Sequence, residues 1–158
     1  MRIIIDINLY ISALINDNSR KRLDIVLANN VFDILVSDDL LKELIEVANR
    51  SKFRKYVSIS QTETFIQLIL ERATFIETIS KVKASPDPKD DFLLVLCLDG
   101  EADYLLTGNK IDLLDLKSFH QTQIITLATF IAIFLNYFWV ARLVIHILPP
   151  YPPNACVF

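Results

Sequence analysis

The alternation of apolar and polar stretches along the 158 residues predicts short buried strands separated by helices. The first run, Arg2-Ile3-Ile4-Ile5-Asp6-Ile7-Asn8, is β-branched and apolar, and an acid and an amide bound it at once. That pattern reads as a parallel strand buried on both faces. Residues 9–15 are mostly apolar and start the first helix. Asn16-Asp17-Asn18-Ser19 is turn chemistry, with Ser19 the candidate cap of a helix over 20–28, where Leu23, Val26 and Leu27 keep helical spacing. Residues 31–36 read as the second strand, and Ser37 caps a helix over 38–49. Leu40, Leu41, Leu44, Ile45 and Ala48 share one face of that helix, and Asp38 and Asp39 suit its positive end.

Ser60-Gln61-Thr62-Glu63 matches a capping box and opens a helix running to about residue 77. Residues 81–89, with Pro86 and Pro88, form a polar loop. The next helix starts at Asp90-Asp91, stays apolar through Leu98 and stops at Gly100, read as a C′ residue. Tyr104-Leu105-Leu106-Thr107 is the third clear strand, ending at Gly108 and Asn109. A turn at 111–116, a strand at 124–127 and a last helix from about residue 128 follow. Both glycines fall at element ends, where positive φ is most useful. Strands separated by helices predict an α/β fold, a parallel sheet flanked by helices on both faces in three layers.

Composition adds little to the fold and more to the function. With 53% hydrophobic residues the chain is one domain with ample core. A formal charge of −3 carries no global nucleic-acid signature, so such contact must come from local basic patches. Two cysteines make no disulfide framework, and Cys97 sits in an apolar run as a small core residue. His120 and His146 read as surface or core residues. The N-terminal apolar stretch is broken by Asp6 and does not read as a signal peptide, so a cytoplasmic setting is expected. Residues 124–141 hold no charge, enough to raise a transmembrane flag. The preferred account is a buried strand followed by a packed helix, with a membrane location not expected. The domain is expected to span 1–137, leaving 138–158 as an apolar, Pro-rich extension. Its role is open between a partner or dimer surface and a decayed reading frame.

Ligands of open α/β sheets collect at the C-terminal edge of the strands. Asp6, Asp90, Asn109 and Asp112 fall at or just beyond such edges, and Glu43, on the helix after the second strand, is a fifth candidate. These hard oxygen donors suit Mg²⁺ or Mn²⁺, which activate water and neutralise charge on a phosphodiester. Each residue also has a bland reading. Asp6 can cap the next helix, Asn8 can form an Asx turn rather than orient Asp6, and Asp90 with Asp91 can offset a helix dipole. Glu43 can be a solvated acid, although it lies nearer the apolar stripe than Glu46. Convergence of the carboxylates on one point separates the two accounts. Arg20, Lys21 and Arg22, with Arg50, Lys52, Arg54 and Lys55, are the dense positive runs. They suit RNA phosphates, or, for the second run, the negative end of a helix.

The motifs Asp6-Ile7-Asn8, Leu41-Lys42-Glu43-Leu44 with Arg50-Ser51-Lys52-Phe53, and Asp87-Pro88-Lys89-Asp90 occur in that order. They are followed by Ala102-Asp103-Tyr104-Leu105-Leu106-Thr107-Gly108-Asn109. Together they resemble the PIN domain family, in its bacterial and archaeal toxin branch, over about residues 1 to 135. The resemblance implies a metal-dependent ribonuclease acting on RNA, commonly the toxin half of a toxin–antitoxin pair, with a cognate antitoxin partner and a homodimeric state. It implies catalytic roles for Asp6, Glu43 and Asp90, and metal contacts from Asp6, Asp90, Asn109 and Asp112. Asn8, Asp87 and Thr107 are expected around those ligands. Two departures stand out: Ile7 replaces the usual Thr, and Asn109 stands where many members carry Asp. An amide ligates through its oxygen but brings no negative charge. A PIN-fold binding protein with a weakened metal site is therefore the alternative.

Overall fold

Ile3, Ile4 and Ile5 are fully buried, although successive strand residues point to opposite faces. Both faces of the sheet are therefore covered at its centre, in a three-layer α/β/α arrangement. The structure, a computed structural model, describes residues 1–108 and 111–134. Strand β1 (Arg2–Ile5) pairs in parallel with β2 (Asp33–Val36) on one side, Ile4 opposite Leu35. On the other it pairs with β4 (Tyr104–Thr107), Ile4 opposite Leu105. Strand β3 (Ala73–Phe75) lies outside β2 and β6 (Thr122–Thr126) outside β4, both parallel. The two-residue β5 (Ser118–Phe119) runs antiparallel to β6, giving the order β3-β2-β1-β4-β6-β5 among the described residues.

Between the strands run α1 (Ile7–Ile15), α2 (Asp17–Leu27), α3 (Asp38–Ala48), α4 (Ile59–Arg72), α5 (Asp91–Asp99) and α6 (Ile111–Leu116). A further helix, α7, is described over 127–134. The α/β expectation holds, with local corrections. Asn16, not Ser19, caps α2: its side-chain oxygen accepts the Ser19 N–H at 3.0 Å, which brings Asp17 and Asn18 into the helix. The capping box of α4 is Ser58 with Gln61 rather than Ser60 with Glu63. The Ser58 hydroxyl accepts from Gln61 N at 3.2 Å, and Gln61 Oε1 accepts from Ser58 N at 2.9 Å. Helix α4 also stops at Arg72, five residues before the expected end, and passes straight into β3. Arg72 holds that junction by donating to the carbonyls of Leu27, Asn29 and Phe32.

Neither glycine has positive φ; the left-handed residue after α5 is Glu101, at φ 46°. Gly100 is required by proximity instead, because a Cβ there would lie 2.6 Å from Leu96 O and 2.8 Å from Leu35 Cδ1. Residues 111–116 are a helix rather than a turn. On α3, Leu40, Leu44 and Ala48 are buried, while Ile45 is exposed. Cys97 is a core residue, its thiol pushed up to about 12 by burial despite a hydrogen bond with Thr122. At the C-terminal end, Ile124 lies in β6 and Phe130 of α7 packs edge-on against Phe32 and Tyr104. Residues 124–134 thus belong to the domain as strand and helix. Among the described residues no helix is long and apolar enough to cross a membrane. The expected extension 138–158 lies outside the described residues.

Candidate active site

β1 hands the chain to α1 through Asp6, and that residue serves two purposes at once. Its backbone is extended, its N–H donates to Leu106 O at 2.8 Å, and its Oδ1 accepts the Asn8 N–H at 3.2 Å. Asp6 is therefore the N-cap of α1, the bland reading. Its other oxygen, Oδ2, accepts the Thr107 hydroxyl at 2.7 Å across the β1–β4 pair. Asp6 is 2% exposed and Thr107 is fully buried. A buried carboxylate is tolerated only when it is hydrogen-bonded, and bonds to a charged acceptor are the stronger kind. A carboxylate has about four lone-pair sites, so these two donors leave acceptor capacity on each oxygen. Asn8 contributes its backbone N–H to this arrangement, while its side chain is exposed.

Three acids around the start of α5, alike in sequence, take different roles. Asp87 caps a 3-10 turn, Pro88–Asp90, by accepting from Lys89 N at 3.1 Å. Asp91 points back to the loop, accepting from Ala84 N at 3.1 Å and Ser85 N at 2.9 Å. Asp99, at the far end of α5, accepts from Ile79 N, Ser80 N and the Ser80 hydroxyl. The loop is thus fastened to both ends of the helix. Asp90, by contrast, is 3% exposed at the start of α5. Helix α5 packs on β1 and on α3, so the elements that carry Asp6, Asp90 and Glu43 are neighbours. Glu43 is half-buried on α3, whereas Glu46 is exposed and pairs with Arg50 at 3.4 Å. Asp112 is exposed in the first turn of α6, and Asn109 lies outside the described residues.

Among the described residues, no group of three His, Cys, Asp or Glu side chains is placed to hold a metal ion. The donors available are buried carboxylates at the sheet edge. Their chemistry fits an ion that takes one or two carboxylates and completes its shell with water, as Mg²⁺ does.

The basic residues divide in the same way. Arg20 is half-buried and already partnered, paired with Asp24 at 2.8 Å and lying 4.6 Å over the Phe65 ring. Arg54 donates to Asn49 Oδ1 at 2.7 Å, to Thr62 Oγ1 and to Ala48 O, closing the end of α3. Lys21 is exposed. Lys52 and Lys55 lie over the rings of Phe53 and Tyr56. Arg22 lines a cavity of about 420 Å³ of mixed character, with Asn8, Ser12, Ser19 and Thr107 alongside Leu9 and Leu127, beside the Asp6–Thr107 pair. Ser12 was not among the sequence candidates. Its position four residues after Asn8, on the same face of α1, is the signal that points to it.

Comparison with known proteins gives the family and the fold. The model of a family described as PIN domain matches residues 2–111, over two thirds of the chain. No curated protein matches. Among solved structures, the chain is similar in fold to VapBC2 from Rickettsia felis bound to a DNA fragment from their promoter. That match has a TM-score of 0.52 and 16% identity, covering 78% of this chain and 97% of that one. PIN domains are generally nucleases that use divalent metals.

Proposed function

Since this chain belongs to the PIN domain family, we propose that it is a metal-dependent endoribonuclease, the toxin of a cytoplasmic toxin–antitoxin pair. One observation carries the reading: a buried carboxylate, Asp6, ends the central strand and is gripped by the hydroxyl of Thr107 from the next strand. Asp6, Glu43 and Asp90 are the catalytic acids in this account. Asp6 and Asp90 would hold Mg²⁺ or Mn²⁺, with Asn109 and Asp112 completing the donor set. Such an ion supplies an activated water and neutralises charge on the phosphodiester. Thr107 and the Asn8 N–H keep the Asp6 carboxylate oriented, and Asp87 shapes the turn that leads to Asp90. Arg22, lining the cavity beside Asp6, is the cation best suited to a substrate phosphate there; Lys21 adds to the field.

Residues 1–137 form the nuclease unit in this reading, and 138–158 are a separate extension. An antitoxin partner is supported by the complex in which the similar structure occurs, and a homodimer is part of the proposal. A second reading, a PIN-fold binding protein with a weakened metal site, is favoured by the missing three-acid group among the described residues and by the amide at 109. Incubation of a structured RNA pool with Mg²⁺, Mn²⁺ or chelator, for wild type and Asp6→Asn, separates them. Metal-dependent cutting lost in the variant supports the nuclease. Equal behaviour of two folded proteins with both metals refutes it and leaves the binding protein.

A further inference from the structure

We infer that the turn joining α3 to α4 is a platform for single-stranded RNA, on which Tyr56 stacks a base. The choice of ligand rests on the ribonuclease reading; the platform itself rests on geometry and charge. Helix α4 has 14 residues and rises about 21 Å. Its last residue, Arg72, directly precedes the first residue of β3, at the N-terminal edge of the sheet. The start of α4 shares a cavity with the end of α1 and the start of α2, and α1 begins at Asp6, its N-cap.

The turn is chemically unlike the rest of the chain. Between Glu46 and Glu63 there is no acidic residue, yet Arg50, Lys52, Arg54 and Lys55 fall there, in a protein of net charge −3. Arg50 has a surface pairing with Glu46, while among the described residues Arg54 donates to neutral groups, which leave its charge uncompensated. Tyr56 is 58% exposed, and Lys55 Nζ lies 4.7 Å from its ring centroid. Tyr56 also borders a cavity of about 410 Å³ whose wall is mixed, with Asp17, Arg20 and Gln61 on its polar side and Leu14, Phe65 and Leu68 on its apolar side. That volume falls within the range of small-ligand sites, about 300–1,000 Å³. The walls include α1 and α2, which also line the cavity beside Asp6. Along α1, Asn8 and Ile15 are about 10 Å apart. That is within reach of successive nucleotides.

These features select single-stranded RNA over a protein partner. Aromatic rings flanked by cations stack on unpaired bases, and polar side chains around them meet base edges and phosphates. The core of a protein interface is depleted in charge, which this turn is not. A duplex hides its base faces and cannot use the ring.

The test is fluorescence anisotropy of a fluorescein-labelled unstructured RNA oligonucleotide in chelator, so that binding is read without cleavage. The same strand annealed to its complement is the control. Tyr56→Ala is expected to weaken single-strand binding roughly five- to hundredfold, with Tyr56→Phe staying close to wild type and duplex binding little changed. The proposal is overturned if wild type binds no RNA, or if Tyr56→Ala binds the single strand as wild type does. It is also overturned if polyglutamate displaces the RNA equally from both proteins, or if the substitution changes only the oligomeric state. The nuclease reading fails separately. Wild type that cuts no RNA but binds it through Tyr56 refutes the nuclease and keeps the platform, and cutting without dependence of binding on Tyr56 does the reverse.

Discussion

Thr107→Val is the substitution that most directly examines the bond on which the candidate site depends. Valine keeps the shape of threonine and removes the hydroxyl that donates to Asp6 Oδ2, the one side-chain donor to that oxygen among the described residues, in a position with no exposure. A hydrogen bond to a charged, buried acceptor contributes about 1.5–3 kcal/mol. The methyl that replaces the hydroxyl returns at most about 0.8 kcal/mol through burial. The net loss is therefore about 1–2 kcal/mol, or roughly 2–8 °C in Tm for a domain of this size. Urea unfolding is the assay: the midpoint falls while the m-value stays constant. The mechanism is isolated by repeating the substitution in an Asp6→Asn background. There the hydroxyl faces a neutral amide, and its bond is worth only about 0.5–1.5 kcal/mol. The loss should shrink by about 1 kcal/mol. An unchanged midpoint, or an equal loss in both backgrounds, refutes the claim that Thr107 holds the Asp6 carboxylate. In the ribonuclease reading, Thr107→Val also lowers turnover without weakening RNA binding measured in chelator.

Three further perturbations follow from the packing. Gly100→Ala forces a Cβ against Leu96 O and Leu35 Cδ1 and should destabilise by about 1–3 kcal/mol in chemical unfolding; a neutral result would mean that α5 moves freely over β2. Tyr10 is fully buried, burial raises the pKa of its hydroxyl, and that hydroxyl has no hydrogen-bond partner among the described residues. Tyr10→Phe should therefore raise stability by about 1 kcal/mol, and a loss in the same melt would contradict the account. Asp99 is held below the usual carboxylate range, first by the Ser80 hydroxyl and then by the backbone N–H groups of Ser80 and Ile79. Its contribution is present above the unfolded value of about 3.9 and fades as pH falls through the lower folded value. Asp99→Ala should thus lower Tm and speed proteolysis of segment 77–87 at neutral pH, and the Tm difference should close in acid.

The sequence alone determined the central strand, the order of most helices and strands, and the edge at which Asp6 and Thr107 appear. Those features follow from rules that act within a few residues. Three adjacent isoleucines fit a strand buried on both faces, and Ser37 caps α3 by bonding Leu40 N three residues on. Tertiary structure decided wherever two residues had equal local credentials. Asp90 and Asp91 both suit a helix start, yet the loop N–H groups of Ala84 and Ser85 claim Asp91, while Asp90 is buried. Ala73-Thr74-Phe75 continues an apolar helical pattern and becomes a strand because β2 lies beside it, with Ala73 opposite Ile34. Gly100 looked like a residue chosen for positive φ, yet its φ is −84°, and a Cβ there would meet both the local Leu96 carbonyl and the Leu35 side chain brought from a distant strand. Arg20 and Arg22, two positions apart, end up in different cavities because α2 turns them to different sides. Periodicity and capping select an element, but hydrogen bonds and steric contacts between distant segments select which of several similar residues does the work.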